Sequence, residues 1–288
     1  MSGRGRHGTA RVPVALLGAV AAVAVGVGVA AMVTGAARTP TVPVAATPAG
    51  PAAVPSRSGP AGSPSPAAMP AGPGPSAGFE GSDGDEGEGV PASFPHSGPG
   101  SFRDVGTTGP VLGGAGRLHR FALVLESNLG MVDPAVVAAT VDRVLGDPRS
   151  WIADATVRFQ RVPTTAGPEF TIHLATAATT RRMCEAGGVS GTGGYTSCRY
   201  GGHVVINLDR WYLAVPWYRT AGTGLAVYRV YVINHEVGHQ LGHGHERCPA
   251  PGAVAPVMQQ QTLGLHGCTA NPWPFVAGRA YHGPAGHY

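Results

Sequence analysis

Apolar positions are distributed in two different ways along this chain, and the change falls near residue 115. Before it, large apolar side chains are sparse outside one uncharged run, residues 12–33, which follows Arg4, Arg6 and Arg11. After it, the spacing of apolar residues predicts regular structure. Residues 120–126, 157–162, 170–174 and 203–208 are rich in apolar and β-branched side chains and read as strands, with 120–126 the first of the domain. Asp133-Pro134 resembles an N-cap followed by proline in the first helical turn. Val136, Val137, Val141 and Leu145 then supply a helical stripe, which Gly146-Asp147-Pro148 ends. Residues 181–185 suggest a helical turn and 187–194 a glycine-rich loop. Over 227–233 the residues are β-branched and aromatic, and propensity alone predicts a strand. The spacing of Val230, Ile233, Val237 and Leu241 is helical, so a buried helix starting near Thr223 or Gly224 is expected instead.

That helix carries the chemistry. His235, Glu236, His239, Gly242 and His245 form the pattern H-E-x-x-H-x-x-G-x-x-H. Positions i and i+4 share a helix face, so His235 and His239 can present two imidazoles to one ion. Glu236 can reach a water on that ion without binding the metal. Gly242 takes positive φ at little cost, which would end the helix and swing His245 back toward the pair. Were the helix to continue, His235 and His243 would lie ~12 Å apart along its axis, too far to share an ion. The third ligand is therefore expected to be His245 and not His243.

At these residues the chain resembles the metzincin clan of zinc endopeptidases. The resemblance calls for a methionine-bearing turn beyond the third histidine, and Pro256-Val257-Met258 stands there. The stretch is also similar to a family of secreted bacterial domains of uncharacterised function. What the resemblance implies is an α+β, zincin-like domain with a small twisted mixed β-sheet, two long helices and an irregular C-terminal part closing a cleft. It implies one catalytic Zn2+ on His235, His239 and His245, with Glu236 as general base and Met258 beneath the histidines. It implies hydrolysis of a peptide or protein substrate, lying along an antiparallel edge strand for which residues 195–200 are the candidate. Members that add a tyrosine ligand place it after the methionine, where this chain has Gln259, Gln260 and Gln261. A competing reading is an exported scaffold domain that keeps zinc for stability alone, and a third is an enzyme acting on a non-peptide amide of the cell wall.

Composition bears on compartment and partners. Gly and Pro supply 45 and 27 residues, concentrated before residue 115, where too little apolar surface exists to offset the entropy of ordering. Three regions follow: an N-terminal signal-anchor or signal peptide (1–37), a disordered spacer (38–112) and the zinc domain (113–288). The apolar run exceeds the ~7–15 residues of a signal-peptide core and reaches the ~20 that span a bilayer. A membrane anchor with the domain outside is favoured, with secretion the alternative if the segment is cleaved. Net charge is only +4 with dispersed arginines, so no nucleic-acid partner is implied, and a monomer is expected. Four cysteines in an exported chain read as two disulfides with three possible pairings, of which the one between neighbours, Cys184–Cys198 and Cys248–Cys268, is preferred. His173, on the polar phase of its strand, is expected at the surface, as are His282 and His287. His266 is weighed as a cleft residue and set aside as a surface one.

Overall fold

The computed structural model describes residues 90–220 and 223–288. The apolar run at 12–33 and most of the spacer lie outside those residues, and no helix among the described residues is long and apolar enough to cross a membrane.

A ten-residue strand, β3 (Arg117–Glu126), lies at the middle of a seven-stranded mixed sheet. It pairs in parallel with β4 (Val157–Arg161) and β5 (Phe170–Ala175), and β5 pairs in parallel with β7 (His203–Asn207). Antiparallel strands finish the sheet. β6 (Cys198–Tyr200) pairs with β7 and forms one edge, and β2 (Val111–Leu112) pairs with β4 at the other. β1 (Phe102–Asp104) pairs with β3 at Val124 to Glu126, past the point where β4 stops. Two strands thus precede β3, and the domain begins before residue 113. The Pro/Gly-rich stretch supplies them because each needs only two or three residues against an existing edge. Glu126 holds the first in place: its fully buried carboxylate accepts from the backbone N–H groups of Gly100 and Thr176 and from the Thr179 hydroxyl.

Alternation along the strands separates two faces. Phe121, Leu123, Leu125, Ile172, Leu174, Val204 and Ile206 point into the main core. There α1 (Pro134–Leu145) packs through Val137, Val141, Val144 and Leu145, its N-terminus capped by Asp133 accepting from Ala135 N–H. A bidentate pair between Arg161 and Asp142 ties that helix to β4. The motif helix, α5 (Gly224–Gln240), shares the core through Tyr228, Tyr231, Ile233 and Val237. Two short helices not evident in the sequence, α3 (Leu208–Tyr212) and α4 (Pro216–Thr220), lead into it.

The opposite face is covered by α2 (Ala177–Ala186), longer than the turn expected at 181–185. Ala175, Cys184, Cys198 and Val205 form a second small core there, closed by the Cys184–Cys198 disulfide. This second layer overturns the surface placement of His173. Parallel strands are usually buried on both sides, and His173 is 7% exposed. Its Nε2 meets His203 Nδ1 at 3.0 Å, its ring lies edge-on to Phe102, and its Nδ1 has no partner.

After α5 the chain has little regular structure beyond the hairpin of β8 (Phe275–Val276) and β9 (Arg279–Ala280). Side chains hold it. Gln261 accepts from the Tyr218 hydroxyl and Asn271 N–H, and donates to the carbonyls of Pro256 and Asn271. The Cys248–Cys268 disulfide closes the segment carrying Met258.

Two stability predictions follow from this arrangement. Burial pushes the His173 imidazole down to about 4, with the neighbouring His203 adding to the shift. The folded value lies below the unfolded one, so below pH 6.5 the unfolded chain binds the extra proton and stability falls as pH falls toward 4. From pH 7 to 5 the loss amounts to about 2 kcal/mol. Urea unfolding at both pH values is expected to show a loss smaller by that amount in His173→Gln, and an equal loss would refute it. Separately, replacing Cys248 and Cys268 together by alanine is expected to cost about 3 kcal/mol, given a closed loop of 20 residues; unchanged denaturant midpoints would contradict that.

Candidate metal centre

The helix under the site is buried on nearly every side, from Val227 to Gly238. This is why β-branched and aromatic residues are helical here: tertiary packing outweighs their preference for strands. Asn234 anchors it, donating to the Pro272 carbonyl and accepting from the Ser150 hydroxyl, while Trp151 Nε1 donates to the Asn234 carbonyl. Between the two helical histidines, Gly238 allows a close approach. A Cβ there would stand 2.5 Å from Met258 Sδ and 2.6 Å from Trp151. Met258 is 1% exposed and forms the apolar floor beneath the helix.

The helix ends as the spacing predicts. Gly242 adopts φ 99°, its N–H donates to the His239 carbonyl, and His243 N–H donates to the Gly238 carbonyl. This pair of bonds is the Schellman arrangement. Past the turn, His245 joins His235 and His239, and one nitrogen from each lies within 4.8 Å of the others. His239 Nε2 and His245 Nε2 are 3.0 Å apart.

Each imidazole is oriented from behind. His235 Nδ1 meets the Val257 carbonyl at 2.8 Å, and His239 Nδ1 meets the His243 carbonyl at 2.8 Å. A neutral imidazole donating from Nδ1 to a carbonyl leaves the Nε2 lone pair free, which is the usual state of a metal-bound histidine. His245 Nδ1 meets His287 Nδ1 at 2.9 Å. His287, expected as an ordinary surface residue, thus backs the third histidine. The tail brings it there by pairing beside residues 245–247, with Gly286 N–H donating to the His245 carbonyl and Arg247 N–H to the Pro284 carbonyl. Its distance from the motif in sequence hid it.

Proton affinities follow from burial. It holds His235 well below the usual histidine range and lowers His239, and it takes His245 down to about 4, with neighbouring imidazoles adding to the effect at His235 and His245. Burial likewise pushes the Glu236 carboxyl up to about 8. Glu236 is 5% exposed and its Oε2 has no partner. Neutral nitrogens converging beside an orphaned carboxylate oxygen fit a divalent cation: the nitrogens can ligate it, and a cation nearby would favour the charged carboxylate.

The cluster lies in a cleft of about 650 Å³, bounded by the loop before β6, by β6 itself, by α5 and by residues 260–263. Residues 195–200, expected as an edge strand, are extended only from Cys198, and that strand is the free edge beside the cleft. His243 stands at the rim with its ring stacked on Trp151, centroids 4.4 Å apart. His282 pairs with Glu246, and His266 stacks on Tyr288.

Fold and site together define a mixed α/β domain with a three-histidine cluster suited to a metal ion. The chain belongs to the family described as "Protein of unknown function (DUF3152)", whose model matches residues 89–276 and so spans the sheet, the histidine motif and Met258. No curated protein and no solved structure matches the chain.

His239 is oriented by the backbone carbonyl of His243 and not by its side chain, which gives an asymmetric expectation. His245→Ala is expected to lose the capacity to bind a divalent metal ion, whereas His243→Ala keeps it and loses the stacking on Trp151. Metal content of the purified variants checks this, and metal lost only from the His243 variant would overturn the ligand set.

Proposed function

We propose that the protein is an exported zinc-dependent endopeptidase with a metzincin-like active site. The observation carrying this reading is the buried Glu236 carboxylate, its Oε2 unpartnered, next in sequence to the first of three converging imidazoles. A zinc site that serves stability alone is closed by four ligands and has no use for such a carboxylate. Three histidines leave a coordination position open, and an orphaned carboxylate oxygen costs the fold free energy unless it has another task.

His235, His239 and His245 would hold the ion. Zinc bound there supplies Lewis acidity, lowering the pKa of a water toward ~7 and polarising a carbonyl oxygen. Glu236 carries the proton. Its free oxygen accepts one from the water as the water oxygen bonds to the scissile carbonyl carbon, and returns it to the amine nitrogen as the C–N bond breaks. The backbone carbonyls of Val257 and His243 hold two imidazoles in the orientation this needs, and Met258 excludes water from beneath them. β6 offers an extended peptide the unpaired backbone of a sheet edge along the cleft. The positions directly after Met258 are glutamines, not tyrosine; Gln259 and Gln261 point into the protein and bond backbone carbonyls, so oxyanion stabilisation from that turn is not part of the reading. The two disulfides suit an oxidising compartment outside the cytoplasm.

The test uses the full-length chain, because cutting at residue 112 would remove β1 and β2. Loaded with one zinc, it is expected to cleave members of a peptide library, and Glu236→Gln is expected to keep the metal while losing roughly 10²–10⁴-fold in rate. A protein that binds one zinc and cleaves nothing would instead be a zinc-stabilised binding domain.

A further inference from the structure

Arg199 is the middle residue of β6. Alternation sends Cys198 and Tyr200 to the second core with Cys184 and Met183, so Arg199 faces the other way, toward α5. There its Nε donates to Gln240 Oε1 at 2.8 Å. That bond fixes the guanidinium at the end of the motif helix, beside the residue that follows His239. Its terminal nitrogens Nη1 and Nη2 have no partner among the described residues. Arg199 lines the cleft, and among the described residues the only other one of the cleft wall with a charge-bearing acidic or basic side chain is Glu236, buried and assigned to the reaction. A half-buried guanidinium without a counter-ion has lost part of its hydration and gained little in return. Its two free nitrogens present the planar fork that pairs with both oxygens of a carboxylate.

We propose that Arg199 makes the cleft selective for acidic peptides, receiving an aspartate or glutamate side chain of the bound chain. The assignment rests on the peptidase reading for the substrate's being a peptide, and adds its charge. An arginine serving only to tether β6 to α5 would leave peptide charge without effect on binding.

Binding separates the two ideas. The probes are fluorescent peptides of one fixed sequence carrying Asp, Asn or Lys at each position in turn, measured by anisotropy on the full-length, zinc-loaded Glu236→Gln protein. One position is expected at which Asp binds roughly tenfold tighter than Asn. Arg199→Gln is expected to abolish that difference, Arg199→Lys to keep part of it, and Arg199→Glu to move the preference to Lys. Zinc content and thermal melting establish that each variant is folded, and if the glutamate variant is not, the glutamine and lysine variants carry the comparison. Equal affinity for all three peptides at every position, an Asp preference that survives Arg199→Gln, or binding of no peptide overturns the proposal. Cleavage by the unmutated protein with no charge preference overturns it while leaving the peptidase reading intact; Arg199-dependent acidic binding without cleavage does the reverse.

Discussion

The contact between Gly238 and the pair Met258 and Trp151 is the constraint on which the rest of the site depends. It lets the methionine turn and the start of the β4 approach press directly on the motif helix, between the two histidines it carries. Any side chain there would push the Met258 thioether and the Trp151 ring off the helix. The same contact explains why an irregular segment can be precise. Residues 246–288 have little ladder hydrogen bonding of their own, so their position is set by the helix face they pack on, by Gln261 and by a disulfide. In packing terms, the site is built where a regular element and an irregular one meet across a gap with no room for a Cβ.

A second constraint follows from the first. To be pressed from below by Met258 and Trp151 and packed on the sheet on its other sides, α5 must be apolar nearly all round. A helix of that kind shows little amphipathic pattern. Its sequence shows this, and the β-branched run from Val227 to Ile233 reflects filling of a crowded core more than any local preference. The polar groups it does carry are those with assigned partners: Asn234 to Ser150 and Pro272, His235 to Val257, Tyr231 to the Gln259 carbonyl.

Legibility in the sequence divides along the same physical lines. Features written locally were readable: the Asp133 cap, the strands at β5 and β7, the histidine spacing, the Gly242 turn and the pairing of neighbouring cysteines. Features that exist only through tertiary contact were not. β1 and β2 are too short to show a period and take their stability from the edges of β3 and β4. His173 looks polar-facing because alternation says which face a residue takes, not whether another layer covers it. Gly238 occupies an unconstrained position of the motif, and only the placement of Met258 and Trp151 shows why it is glycine. His287 lies 42 residues from the histidine it backs, in a tail with no pattern.

What packing does not account for is Glu236. Every other polar residue on the buried part of α5 makes at least one hydrogen bond, Arg229 among them to the Trp211 carbonyl, with its guanidinium over the faces of Trp211 and Tyr212. Glu236 is as deeply placed as these, yet one oxygen has no partner and burial raises its proton affinity. Leaving such a group unsatisfied costs about 1–3 kcal/mol, a sizeable fraction of the net stability of a typical domain. A leucine or methionine at this position would fill the same space without that cost. A local choice that opposes folding is expected only where something other than folding requires it. Here that choice stands beside three imidazoles, two held by backbone carbonyls and the third by His287, with one nitrogen of each gathered toward one point.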